Sequence, residues 1–347
     1  MTQELPPRAH EILRSIVAHY ILTGEPVGSR TIAKLNWEGL SPASIRNVMA
    51  DLEESGYLTQ PHASAGRVPT DRGYRYYVDT LLPAGGPGPQ DQALIDSSLR
   101  GLGGEFNEAM ETIPRLLSRL TRQVAYLLAP PAADAVLNHI EFVRLHPRRI
   151  LVVFVDGSEV VSHRILDSAE DYVQADLDRA GRYLVAEFGG RSLREIRQQL
   201  VTLMAQDKAA FDTMLRDATT LGTRYLEAEE GERRLVVEGT GNIINHPELA
   251  DLETMRSLFA TFEEKHRLVT LLDRYLDPSG VRVVIGSEAE DLTSGRMSLV
   301  ASPYRLGDGG TGWLGIMGPT RMEYARAVAL VEYISRLFSR LLHHSRP

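Results

Sequence analysis

Arg46 and Asn47 carry the sharpest chemical signal in the chain. An arginine can pair bidentately with the major-groove edge of guanine, and an asparagine with that of adenine. Both lie in Leu40-Ser41-Pro42-Ala43-Ser44-Ile45-Arg46-Asn47-Val48-Met49-Ala50-Asp51-Leu52-Glu53-Glu54-Ser55-Gly56. Ser41 suits a helix N-cap, Pro42 the first helical position and Gly56 the position just past the end. Ile45, Val48, Met49 and Leu52 recur at i, i+3, i+4 and i+7, which predicts one buried stripe. Ala43, Ser44, Arg46 and Asn47 are left on the exposed side of the first turns. They are short or hydrogen-bonding, as base edges and phosphates require. Asp51, Glu53 and Glu54 fall in the second half, away from phosphate if the N-terminal end enters the groove. Taken alone, the same segment could be an ordinary amphipathic helix, and Arg46 could be a phosphate contact that positions without specifying.

The neighbouring elements favour DNA reading. Ile12, Leu13, Ile16, Val17, Tyr20 and Ile21 predict a helix from Pro7 to Leu22, ended by Gly24. Gly28-Ser29 offers a turn and cap for a short helix, Arg30 to Leu35. After the reading helix, Tyr57 to Gln60 and Arg67 to Pro69 read as two short strands around a tip of small residues, His62 and Ser64 among them. Thr70 can cap a last helix, Asp71 to Leu82. The order predicts a winged helix-turn-helix, with the wing residues His62, Ser64 and Arg67 on backbone or minor groove. Arg72 and Arg75 are either phosphate contacts or plain surface charges.

A net charge of -8 argues against indiscriminate nucleic-acid binding but leaves room for a local basic face. Within residues 28–75 the cations are Arg30, Lys34, Arg46, Arg67, Arg72 and Arg75, while most acids there cluster at one helix end, Glu38 and Asp71 excepted. Charged residues at 24% and hydrophobic residues at 43% are ordinary for a water-soluble globular protein of two or three domains. No apolar run approaches the ~20 residues of a membrane span. The N-terminus lacks a secretory leader pattern. The absence of cysteine removes disulfide and thiolate chemistry and fits a cytoplasmic location.

Beyond the head, Pro83-Ala84-Gly85-Gly86-Pro87-Gly88-Pro89 reads as a linker. A helical stretch is expected from about Gln90 to Leu128. Strand signals follow over 138–166, with a tight turn at Asp156-Gly157. A helical region, about 171–229, interrupts them. Strand signals return at 235–237, 281–285, 297–301 and 313–317. A closing helix from Arg321 is expected, with Thr320 and Glu323 as a capping box. The layout predicts an α+β multidomain chain whose second domain carries a helical insertion.

Other motifs fail on context. Gly307-Asp308-Gly309-Gly310-Thr311-Gly312 matches a dinucleotide fingerprint, but a strand rather than a helix is expected after it. The ten histidines make no metal-binding spacing, and no nucleophile, P-loop or calcium-loop motif is present. Neither a catalytic activity nor a metal or other cofactor is expected.

Three segments resemble the HrcA-type heat-inducible transcription repressors. They are Gly24 to Thr31, Leu40 to Asn47 and Gln60 to Asp79, joined near the end by Gly315-Ile316-Met317-Gly318-Pro319-Thr320-Arg321-Met322-Glu323-Tyr324-Ala325-Arg326. Ser44 and Ala63 stand where that family usually has threonine, and Asn36-Trp37-Glu38-Gly39 is a distinctive loop. The resemblance implies a winged-helix DNA-binding domain (1–82), a linker (83–89), a GAF-like domain (90–170 and 236–347) and an inserted dimerising domain (171–235). It implies a homodimer on an inverted-repeat operator in double-stranded DNA upstream of chaperone operons, kept active by the chaperonin. The expected DNA-contact set is Ser29, Arg30, Thr31, Ser41, Ala43, Ser44, Arg46, Asn47, His62, Ser64, Arg67, Arg72 and Arg75. The alternative is a repressor whose GAF-like domain senses a small molecule.

Overall fold

The structure is a computed structural model that describes residues 5–35, 40–82, 85–102, 106–131, 134–157, 160–168, 170–206, 220–223, 233–276, 279–289, 295–306 and 310–344. The loop 36–39, residues 83–84 of the linker, 307–309 of the glycine run and most of 207–232 lie outside them.

Helix α1 (Pro7–Thr23) buries Ile12, Leu13, Ile16 and Val17 and ends on Gly24, whose φ of 71° suits glycine. Helix α2 (Ser29–Lys34) starts one residue before its expected position, so Gly28 rather than Ser29 is its cap. Helix α3 (Pro42–Glu54) has the expected cap, with the Ser41 hydroxyl accepting from the Ser44 N–H at 3.1 Å. Its end is closed by Gly56, φ 78°: Gly56 N–H reaches the Glu53 carbonyl and Tyr57 N–H the Leu52 carbonyl, both at 2.9 Å. Strands β1 (Leu58–Thr59) and β2 (Val68–Pro69) pair antiparallel. Helix α4 (Asp71–Tyr76), capped by Thr70, runs on as a π-helical turn over Tyr77–Leu81.

Helices α5 (Pro89–Arg100) and α6 (Phe106–Thr121) follow. The expected helix stops there, because Val124–Leu128 is strand β3. Every residue of β3 is buried: Val124, Tyr126 and Leu128 face one core, Ala125 and Leu127 another. A strand covered on both faces reads as an unbroken apolar run, which periodicity cannot separate from a buried helix.

Strands β4 (Leu137–His146), β5 (Arg149–Asp156) and β6 (Val161–Asp167) form an antiparallel sheet of their own. Helices α7 (Gln174–Phe188) and α8 (Leu193–Gln206) share its core, Phe142, Val152 and Phe154 meeting Leu177, Leu184 and Phe188. This differs from the expected division, which assigned these strands to the same unit as the later ones. Their inner face needs a cover, and α7 supplies it.

Strand β7 (Leu235–Glu238), helices α9 (Leu252–Glu263) and α10 (Lys265–Tyr275), and strands β8 (Arg282–Val284), β9 (Met297–Arg305) and β10 (Thr311–Pro319) complete the body. The second sheet has the order β7-β3-β10-β9-β8, every pair antiparallel. Helices α5, α6 and α11 (Tyr324–His344) back one face, and α9 and α10 the other. Helix α11 begins three residues after its expected start. Glu323, not Thr320, holds the cap position and accepts from the Ala327 N–H at 2.9 Å. The Thr320 carbonyl is used by the Tyr324 hydroxyl at 2.7 Å. Among the described residues no helix is long and apolar enough to cross a membrane.

Candidate nucleic-acid interface

The buried stripe of α3 consists of Ile45, Met49 and Leu52, with Val48 half-buried. Its opposite face presents Ala43, Ser44, Arg46 and Asn47, all exposed. The guanidinium of Arg46 and the amide of Asn47 have no protein partner among the described residues and are free to meet a ligand. Ser44 is partly occupied, since its hydroxyl and that of Ser41 lie 3.0 Å apart. In α2, Arg30 is exposed, Thr31 half-buried and Ser29 buried at the first helical position. The Ser29 side chain is therefore packed inside rather than offered outward.

The hairpin tip is held by a residue that periodicity did not single out. Gln60 donates its side-chain amide to the Ala63 carbonyl at 3.0 Å and to the Ala65 carbonyl at 2.9 Å. His62 and Ser64 stand exposed on the loop so formed. The base of the hairpin is locked to the α1–α2 turn, where Val27 and Arg67 exchange two backbone hydrogen bonds of 2.9 Å. A Cβ on Gly66 would lie 2.5 Å from the Val27 carbonyl, so only glycine permits that approach.

Two of the expected cations, Arg67 and Arg75, have other employment, and a third lies over a ring. Arg67 directs Nε (3.0 Å) and Nη2 (2.7 Å) onto Glu53 Oε2, bracing the hairpin against α3. Arg72 is exposed, and its guanidinium lies 4.6 Å from the Tyr57 ring centroid. Arg75 does not face outward. Its Nε donates to Glu288 Oε1 at 2.7 Å, Nη2 to the Val283 carbonyl at 2.7 Å, and Nη1 to Asp79 at 3.1 Å. The pairing with Glu288 is two-pronged, its second contact being Nη2 to Oε2.

Arg75 thus belongs to a clamp between the head and the C-terminal sheet. Beside it the Asp71 carboxylate accepts from the Ser287 N–H at 2.8 Å. Arg321, preceding α11, donates to the Ile21 carbonyl at 3.0 Å and pairs with Glu248. The Tyr74 and Tyr324 rings meet at 5.7 Å, and burial pushes both phenols well above their usual pKa, keeping them neutral. Arg75→Ala is expected to lower the thermal midpoint by a few degrees, from a loss of about 1 kcal/mol at this part-exposed pair. A phosphate contact would instead leave the midpoint alone and flatten the salt dependence of DNA binding. Thermal unfolding beside a salt titration of duplex binding separates the two.

No sequence pattern marked Arg75 or Asp71 as clamp residues, because their partners lie more than two hundred positions away. The helix face, by contrast, was readable from spacing alone.

The chain is similar to known proteins over nearly its whole length. A family profile described as "HrcA protein C terminal domain" matches residues 107–328, more than half of the chain. A "Heat-inducible transcription repressor HrcA" of Geobacter sulfurreducens is 40% identical over 339 residues, covering 98% of each chain. That of Syntrophobacter fumaroxidans is 37% identical over 340 residues, again 98% of each. A crystal structure of a hypothetical protein at 2.2 Å shares the fold with a TM-score of 0.61 and 22% identity, covering 99% of this chain and 100% of that one. The chain belongs to the HrcA family of heat-inducible transcription repressors.

Proposed function

We propose that the chain represses by binding, as a homodimer, an inverted-repeat operator in double-stranded DNA, with residues 1–82 acting as a winged helix-turn-helix. The observation that carries this reading is the outward face of α3, where Arg46 and Asn47 stand exposed beside a serine-capped N-terminus. In this reading Arg46 and Asn47 read bases. Arg30, Ser44, His62, Ser64 and Arg72 contact backbone or minor groove, and Ala43 allows close approach. Ser41, Thr31, Ser29 and Arg67 position the surface, and Arg75 holds the head to the body.

Residues 90–131 and 233–347 then form the GAF-like domain. The insertion begins near residue 134, so that it includes β4–β6 as well as α7 and α8. The outer face of that small sheet supports a dimer contact. Val143, Leu151 and Ile165 lie in one cross-strand row, and Val155 pairs with Val161. Val161 and Ile165 are 51% and 47% exposed, unusual for isoleucine and valine in a sheet otherwise packed by α7. Two-fold symmetry would match the inverted repeat, and the dimer would set the half-site spacing. Heating would remove the DNA-competent dimer and the chaperonin would restore it, so that scarce free chaperonin leaves the genes on. Operator binding followed through the heat-shock range, with and without chaperonin, tests the switch; full binding throughout without chaperonin would sink it.

DNA reading itself is tested by fluorescence anisotropy on an inverted-repeat operator and a scrambled duplex across a salt series. The wild type should prefer the operator, and Arg46→Ala should lose about 1–3 kcal/mol and relax specificity at one base position. Equal weakening on both duplexes would make Arg46 a phosphate contact instead.

A further inference from the structure

A cleft of ≈ 690 Å³ opens where the head meets the body, between the C-terminal end of α6 and the segment leading into α11. Arg119, Arg122, Arg321, Arg326 and His246 line it, against a single lining carboxylate, Glu323. Arg321 and Arg326 are partly neutralised by Glu248 and Asp91. Arg119 and Arg122 are exposed and have no side-chain partner among the described residues. Two uncompensated guanidinium groups beside two partly compensated ones leave the cleft an excess of positive charge.

The imidazole supplies an independent sign. His246 lines the cleft. Its Nε2 is buried and has no hydrogen-bond partner among the described residues. A buried polar atom of this kind calls for a group that would complete it. Burial pulls the His246 pKa down, which favours the neutral ring. An incoming anion favours the protonated ring, which turns Nε2 into a donor. Arg122 is also one of two described non-glycine residues with positive φ, 55°. Leu120 is half-buried and gives the same cleft an apolar wall, while Ile316 and Met322 are buried in the core. The volume is that of a site for a small organic molecule.

We propose that this cleft binds a phosphorylated small molecule, its phosphate held by Arg119, Arg122 and His246 and its body against Leu120. The site is separate from the reading face of α3, so its test does not depend on how DNA is read. It touches the head through Ile21, whose carbonyl receives Arg321.

The experiment is isothermal titration of the full chain with ADP and with inorganic pyrophosphate, repeated on an Arg119→Gln, Arg122→Asn double variant. Both side chains are exposed and asparagine tolerates the left-handed conformation, so the variant folds. The wild type is expected to bind, and the variant to bind at least ten-fold more weakly. The His246 C2–H resonance should move downfield on saturation of the wild type. Tighter binding of ADP than pyrophosphate identifies a nucleotide-like ligand, and equal binding identifies the phosphate alone; both support the site. No binding of either probe to the wild type overturns it, as does equal binding by the variant. Loss of scrambled-duplex affinity in the variant, with neither probe bound by the wild type, would reassign the arginines to the DNA backbone and equally overturn it.

Discussion

Gly73→Ala is expected to cost the head its fold and the chain its operator binding. Gly73 lies inside α4 with its N–H on the Thr70 hydroxyl at 3.1 Å. A Cβ built there would stand 2.2 Å from the Tyr57 carbonyl oxygen. That oxygen cannot swing aside cheaply, because it accepts the Thr70 N–H at 3.1 Å and lies just beyond the closure of α3. The obstacle is backbone, not the far end of a flexible side chain. Either α4 retreats from the hairpin or Tyr57 moves, and Tyr57 is fully buried. Overpacking of a well-filled site costs about 1–3 kcal/mol, and a fixed backbone atom puts this case at the upper end or beyond. For a unit of the head's size each kcal/mol lowers the midpoint by about 4–8 °C. Gly85→Ala is the control, since nothing among the described residues lies within 4 Å of the added carbon. Thermal unfolding and operator titration of both variants check the claim; a wild-type midpoint for Gly73→Ala would overturn it.

The spacing of apolar residues made the head legible because each of its helices buries one stripe and ends on a chemically marked residue. Ser41, Gly24, Gly56 and Thr70 all occupy the cap or stop positions their chemistry suggests. Ser29 went astray by one residue, since glycine and serine both serve as caps and only packing of the serine inside decides between them. In the body the same reasoning met its limit at β3. Burial on both faces erases the alternation that distinguishes a strand, and helix periodicity extended falsely across it. The strands at 137–167 were legible as strands but not as a separate sheet. Which strands share a sheet depends on pairing across long stretches of chain, and no local pattern reports it.

The candidate site divides in a similar way. Exposure of Arg46 and Asn47 follows from the angle between them and the buried stripe, so sequence suffices. The fate of an arginine depends on what acid approaches it in space. Arg67 meets Glu53 fourteen residues away, and Arg75 meets Glu288. Neither pairing leaves a trace in composition or net charge. Counting local cations therefore overstates the basic face, and the arginines still free in the head are fewer than the sequence offers.

The second large effect concerns the small sheet. If its outer face is the dimer contact, Val161→Glu with Ile165→Glu is expected to yield a folded monomer that has lost about 10²–10⁴ in operator affinity, because each head then engages its half-site alone. Both residues are on β6, an edge strand, and about half exposed, so the inner core of Phe142, Val152 and Phe154 is untouched. In a two-fold contact each substitution is repeated by the partner, which places four carboxylates in one apolar interface. Leaving them unpaired there costs several kcal/mol, enough to dissociate a dimer of ordinary interface size. Sedimentation at micromolar concentration reads the assembly, circular dichroism reads the fold, and operator titration reads the consequence. A variant that remains dimeric with wild-type affinity would move the contact off this sheet and onto the helices that follow it, α7 and α8. A monomer that still binds the operator as tightly as the wild type would remove the need for a dimer in DNA reading altogether.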